Sequence, residues 1–316
     1  MMAASKGDLQ GMNQFIYTQP EQINQKNIIG WNALIWLLHT IHPELYNNEQ
    51  YCEFTLRMIR SLLRAGLDVN APTGYGKVAL SCMNIVPTPL SLNITDELLS
   101  SDKIDLEAVA YEDRSSPLQV LLSEKPDPRI SIKLIDAGAD VLYISESDVD
   151  AVGVICLTGQ EDVFDYVIKN KNIPVEFLSR ESKLNDVTNL MAAISEGHVG
   201  IAKKLLRLCP NINVHYKNQS GVTILLAALY NFDEELLNML VERNIDLHTE
   251  VESPVRGNAL HYAVSIRSYP AVKWLLEQNV STSHVEGKGY DVLAFAKAVP
   301  DYPLKQDVIE LIEQYY

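Results

Sequence analysis

Apolar positions in this chain fall into short clusters that return at a nearly fixed interval. Between Asp186 and Val280 one run is written three times. It reads Val187-Thr188-Asn189-Leu190-Met191-Ala192-Ala193, then Gly221-Val222-Thr223-Ile224-Leu225-Leu226-Ala227-Ala228, then Gly257-Asn258-Ala259-Leu260-His261-Tyr262-Ala263. Each run is followed by an apolar pair, Leu205-Leu206, Leu240-Val241 and Leu275-Leu276, and the leucines Leu190, Leu225 and Leu260 stand 35 residues apart. A period of this size predicts a solenoid of stacked helical units, each too small to bury enough surface alone. Small residues such as Ala192, Ala193, Ala227, Ala228 and Ala263 let neighbouring helix pairs approach. The leucine pairs fill the layer between them.

The run resembles the ankyrin repeat, whose consensus is Gly-x-Thr-Pro-Leu-His-x-Ala-Ala-x-x-Gly-His, and Gly197-His198 completes the match to the first copy. The resemblance implies an all-α ankyrin-repeat solenoid of about nine helix–turn–helix units with β-turn fingers. It implies a single domain over 1–316, with repeats near 2–27, 28–72, 73–110, 111–143, 144–180, 181–217, 218–252, 253–285 and 286–316.

Taken in order, the chain opens inside a repeat at Ala3-Ala4-Ser5-Lys6-Gly7, with Phe15 and Ile16 as the apolar pair of its second helix. Such a start fits either an abbreviated cap or a piece of a longer array. In repeat two, Leu34 to Gly66 is about a dozen residues longer than in the regular repeats, the excess falling around 42–53; a helix extension and a protruding loop both fit. Gly66, Gly138, Asn244 and Asn279 follow their second helices where a left-handed residue is wanted. Repeat three carries a Pro87-Thr88-Pro89 break before a helix at Asp96–Leu99. Repeat four keeps the Pro-Leu of the consensus in Pro117-Leu118. Repeat five is the most eroded, with Val152 in place of the anchor leucine, and repeat nine closes on the stripe Val308-Ile309-Glu310-Leu311-Ile312.

Charge changes the picture in one segment. The chain has a net charge of -15, and residues 95–162 carry -11 of it, with 16 Asp/Glu against 5 Lys/Arg. That is either a solubilising surface or a field for a basic partner surface. Nucleic acid is excluded as a partner, because its phosphates need a basic stripe. No run of 18 apolar residues occurs, so no membrane insertion is expected, and Met1–Asp8 has no secretory apolar core. Cys52, Cys82, Cys156 and Cys209 lie far apart without a Cys-x-x-Cys pair, which suits a reducing, cytoplasmic compartment.

No catalytic residue, metal site or cofactor is expected. Cys52 with His39 and His42 lacks an orienting group, and the acids Asp148/Asp150 and Glu161/Asp162 lack calcium or zinc spacing. Trp36 and Trp274 are expected to face the core. In ankyrin repeats the histidine matched by His261 hydrogen-bonds neighbouring backbone and fixes the turn. His198, matching Gly-His, takes the same structural reading.

The resemblance further implies a partner protein held on the concave surface of finger tips and first helices. Carried over by position, the contact residues are Trp31 and His39 in repeat two, and Tyr75 and Lys77 in repeat three. Repeats four and five contribute Glu112, Asp113, Ser115 and Glu124, then Glu146 and Val149. The later repeats contribute Asn185, Glu196, Gln219, Val222, Tyr230, Asn231, Lys288 and Tyr290. The expected molecule is a monomeric, non-catalytic interaction scaffold, with the recognition module of a larger enzyme as the alternative. Eroded repeats and the irregular insertion are similar to ankyrin effectors that intracellular bacteria secrete into the host cytosol; eukaryotic cytosolic ankyrin proteins are the rival origin.

Overall fold

Seven of the short first helices open on the same device. The residue just before each helix turns its side-chain oxygen onto a backbone N–H of the first turn: Asn32 onto Ile35, Ser116 onto Gln119, Asp150 onto Gly153, Thr188 onto Met191, Thr223 onto Leu226, Asn258 onto His261 and Asp291 onto Ala294, all at 2.8–3.4 Å. These caps satisfy donors that the helix itself leaves orphaned. Repeat three has Val78 at this position, whose side chain can accept nothing. There the α-helix is replaced by a 3-10 segment, Leu80–Ile85, with Ser81 Oγ bonded back to the backbone of Val78.

The computed structural model describes residues 9–108, 114–182, 186–251 and 256–316. The chain divides into two compact units between Ile173 and Pro174. In the first unit the first-helix layer holds Ala33–His39, the 3-10 segment, Pro117–Glu124 and Ala151–Thr158. The second layer holds Leu9–Thr18, Glu49–Arg64, Leu90–Leu99, Pro128–Ala137 and Glu161–Asn170, each packed on the next. The excess length of repeat two becomes a 3-10 turn, Pro43–Leu45, and a second helix of 16 residues capped by Asn48. The second helix of repeat three begins at Leu90, earlier than the Asp96 read from sequence, because the prolines end before it and Ile94 and Leu98 share one buried face.

The second unit begins with the short helix Val175–Leu178. It then alternates first helices Asn189–Ser195, Ile224–Tyr230, Ala259–Ser265 and Val292–Ala298 with second helices Val199–Leu208, Glu234–Val241, Tyr269–Glu277 and Lys305–Glu313. Two fingers contain small antiparallel pairs, Glu181–Ser182 with Val187–Thr188 and Glu250–Val251 with Gly257–Asn258. Leu190, Leu225 and Leu260 are buried, as are Leu205, Leu206, Leu240, Leu275 and Leu276, whereas Val241 is half-buried. The closing helix buries Val308, Ile309, Leu311 and Ile312 and leaves Glu310 exposed.

Turn chemistry follows the sequence reading closely. Gly66, Gly138, Asn244 and Asn279 all have positive φ. Val152 is buried in place of a leucine. Trp274 is buried with its Nε1 donating to Asn238 Oδ1 at 3.0 Å. Trp36 departs from expectation: it is only half-buried, because it lies edge-on to Trp31 at 5.7 Å rather than inside the helix layer. The opening Ala3-Ala4 motif lies outside the described residues.

Between repeats, polar side chains lock neighbouring backbones. The N–H groups of Asp68, Asp105 and Asp140 are each accepted by a side chain of the preceding repeat, Asn24, Asn70 and Glu107, at 2.6–2.9 Å. Asp68, Asp105, Asp140, Asn213 and Asp246 each also accept the N–H two residues on, a local turn that starts every one of these fingers alike.

Candidate functional site

The fingers share a five-residue hairpin. Its first residue donates its N–H to the carbonyl of the fifth, in the pairs Asn27–Trp31, Thr73–Lys77, Ser145–Val149, Asn218–Val222 and Glu286–Tyr290. In each, the N–H of the fourth residue returns to the first residue's carbonyl. The first side chain of four of them also accepts the fifth residue's N–H, as Thr73 Oγ1 does for Lys77 at 3.0 Å. The fourth position requires positive φ. Gly30, Gly76, Gly221 and Gly289 meet it, while Arg114, Asp148 and Asp186 hold the same conformation without glycine's freedom. The register read from the consensus glycine therefore places Trp31, Lys77, Ser115, Val149, Val222 and Tyr290 at one equivalent position. Successive fingers also touch directly: Gly74 N–H donates to Ile29 O at 3.0 Å, so close that a Cβ on Gly74 would lie 2.7 Å from that oxygen.

Two of these hairpins, Thr73–Lys77 and Ser145–Val149, together with Ser115, border an open cleft of about 820 Å³. Tyr75 and Gly76 form one end, Ser115 and Ser147 line the finger side, and Val120, Val149, Val154 and Leu157 supply the apolar floor. Its helical lining comes from Val120, Ser123 and Glu124 on one helix and Val154, Leu157 and Thr158 on the next. These triplets are each spaced i, i+3, i+4 and lie 34 residues apart, so one face of two successive first helices is presented. Tyr75 is 72% exposed and Leu157 38%, so both are open to a partner beside the cleft.

Of the residues expected to contact a partner, the structure brings Tyr75, Ser115, Glu124 and Val149 together here. Lys77 reaches across to Glu124, Nζ to Oε1 at 2.7 Å, and Glu146 lies 3.7 Å from Arg114. Both acids thus face a cation of their own chain, which weakens the field the composition suggested at this spot. Trp31 and His39 form a separate patch, their rings stacked at 4.1 Å. Glu112, Asp113 and Asn185 lie outside the described residues.

In the second unit Tyr230, Glu196, Gln219, Lys288 and Tyr290 are exposed, and Val222 is half-buried. Asn231 is half-buried, and its amide donates to Ile194 O at 2.8 Å and Ser195 O at 2.9 Å, so it latches one repeat to the previous one. The backbone N–H of Gln219 is held by Asp186, whose carboxylate also accepts the Tyr216 hydroxyl at 2.9 Å. Burial, then that bond, pushes the Tyr216 phenol up to about 12.

Val120, Ser123, Val154 and Leu157 were not among the residues read from sequence. Their i, i+3, i+4 spacing from the two helix starts was the available signal. The consensus directs attention to the finger tips instead.

The residues weighed for chemistry are tied into the scaffold. Cys52 Sγ donates to Tyr46 O at 3.1 Å, with burial raising its thiol, and His39 Nδ1 lies 2.9 Å from Ile35 O. Asp150 is a helix cap. His261 is buried, with Nδ1 2.8 Å from Asn258 Oδ1 and Nε2 3.2 Å from Tyr290 O, which fixes the adjoining finger. Burial, reinforced by His284, lowers its pKa against the opposing influence of Tyr290 O, Glu286 and Asp291. Among the described residues no group of three or more His, Cys, Asp or Glu could hold a metal ion, and no helix is long and apolar enough to cross a membrane.

Comparison with known proteins agrees with this geometry. Residues 190–286 match the family model described as "Ankyrin repeats (3 copies)". No curated protein matches the chain by sequence. Among solved structures, the chain is similar to the human ASB11 ankyrin repeat domain, at 20% identity and a TM-score of 0.50 over 64% of this chain and 84% of that one. It is also similar to the ankyrin repeat domain of Bcl-3, described as a unique member of the IkappaB protein family, at 16% identity and a TM-score of 0.51 over 76% of this chain and 99% of that one. With repeating capped helix pairs, five-residue fingers and these likenesses in hand, the chain has an all-α ankyrin-repeat fold, and residues 190–286 within it match the ankyrin-repeat family.

Proposed function

We propose that this chain is a non-catalytic recognition scaffold that binds another protein through the finger face of its first unit. The observation behind this reading is the cleft bordered by the third and fifth fingers and Ser115, which combines an apolar floor with an exposed Tyr75 at its end. Aromatic side chains with large exposed area are frequent anchors of protein interfaces. The side chains weighed as catalysts support the same reading, since Cys52, His39, Asp150 and His261 are each engaged in holding backbone.

Site-specific photo-crosslinking tests it. A crosslinking residue placed at Tyr75 should capture one specific protein that the same residue at Lys169, exposed on a second helix, does not. With that protein purified, Tyr75→Ala should raise Kd by about tenfold. Capture from Lys169 alone, or from neither position, would place recognition elsewhere and overturn the reading.

A further inference from the structure

Four polar side chains lining the cleft in the first unit already spend their hydrogen-bond donors within the chain. Ser123 Oγ donates to Val120 O at 2.8 Å, Thr158 Oγ1 to Val154 O at 2.8 Å and Ser145 Oγ to Val149 O at 3.2 Å. The Gln119 amide spends both hydrogens, on Tyr143 O at 3.0 Å and Val149 O at 2.7 Å. What these groups have left to offer a ligand is lone pairs. Glu124 adds a carboxylate, of which Lys77 engages Oε1, leaving Oε2 the chemistry of a further acceptor. Among the residues lining the cleft Glu124 is the one that carries a formal charge.

Resting on the protein-recognition reading, we propose that this cleft takes a linear peptide segment in which an apolar side chain stands beside a lysine or arginine. The apolar side chain lies on Val120, Val154 and Leu157. The cation meets Glu124, and the extended peptide backbone supplies N–H groups to the serine and threonine lone pairs. An acidic or acceptor-only ligand would find Lys77 already engaged by Glu124. A volume of about 820 Å³ falls within the range of sites that enclose a ligand of a few residues.

Selection of random linear peptides displayed on phage against the immobilised full chain tests this, followed by fluorescence anisotropy with the enriched peptides. Enriched sequences should share an apolar residue next to Lys or Arg. Leu157→Asp should weaken their binding by about tenfold or more, and Glu124→Gln by severalfold. Replacing the basic residue of the peptide by alanine should cost much less against Glu124→Gln than against the natural chain. Melting curves check that both variants fold, and Ser123→Lys, at an exposed position, provides a second block of the cleft. Failure to enrich any peptide, enrichment of acidic or purely polar sequences, or affinity unchanged by Leu157→Asp and Ser123→Lys would overturn the proposal. A folded protein that crosslinks at Tyr75 while no linear peptide binds would sink this inference and leave the scaffold reading standing.

Discussion

Lys77 and Glu124, 47 residues apart in the chain, meet at 2.7 Å and tie the third finger to the first helix of the fourth repeat. Each side chain is about one quarter exposed, at 26% and 27%, so the pair is neither free in water nor sealed in the core. A double-mutant cycle with Lys77→Met and Glu124→Gln should give a coupling near the upper end of surface pairs, about 1 kcal/mol, shrinking with added salt. Urea denaturation at two ionic strengths measures it. A coupling of zero would mean that the contact is incidental.

The left-handed fourth position of the fingers is where the eroded repeats carry strain. Arg114 holds φ 54 there with a side chain largely in water, and its contact with Glu146 is long at 3.7 Å. Arg114→Gly should therefore stabilise the protein by about 0.5–1 kcal/mol, despite glycine's greater freedom when unfolded. A rise in melting temperature checks it. Asp186→Gly at φ 47 should behave oppositely, because it discards the bonds to Tyr216 and Gln219.

Asn231 joins two repeats through a pair of backbone carbonyls. Asn231→Ala leaves both without this donor and should cost about 1–2 kcal/mol of stability. Partner affinity, measured well below the melting temperature, should change little. A large loss of affinity at unchanged stability would return Asn231 to the contact surface.

His261 makes stability depend on pH in a defined window. Its folded pKa lies below the ordinary value, so the folded protein binds fewer protons than the unfolded chain as acid is added. The contribution of the neutral buried ring is complete above about pH 6.5 and is lost as pH falls from there through the folded pKa. The urea midpoint should fall between pH 7 and 5, and His261→Gln should flatten that slope while lowering stability at pH 7. A slope identical in the variant would place the titration at other groups.

Much of the fold was legible because period, cap and turn chemistry are local. Leu190, Leu225 and Leu260 announced the stack, and Gly66, Gly138, Asn244 and Asn279 announced where second helices end, since a left-handed residue is needed there whatever lies beyond. The 3-10 first helix of repeat three was also local in origin, in Val78 standing where a capping oxygen belongs. Tertiary structure alone decided what the side chains between repeats do. Asn231 and Lys77 occupy positions that point to a partner by alignment, yet each is spent on its own chain, because their partners lie 36–47 residues away in sequence. Likewise, Val120, Val154 and Leu157 became a cleft floor only when two helices were laid side by side. A single repeat specifies its own helices and turn; a surface shared by three repeats exists only after they are stacked.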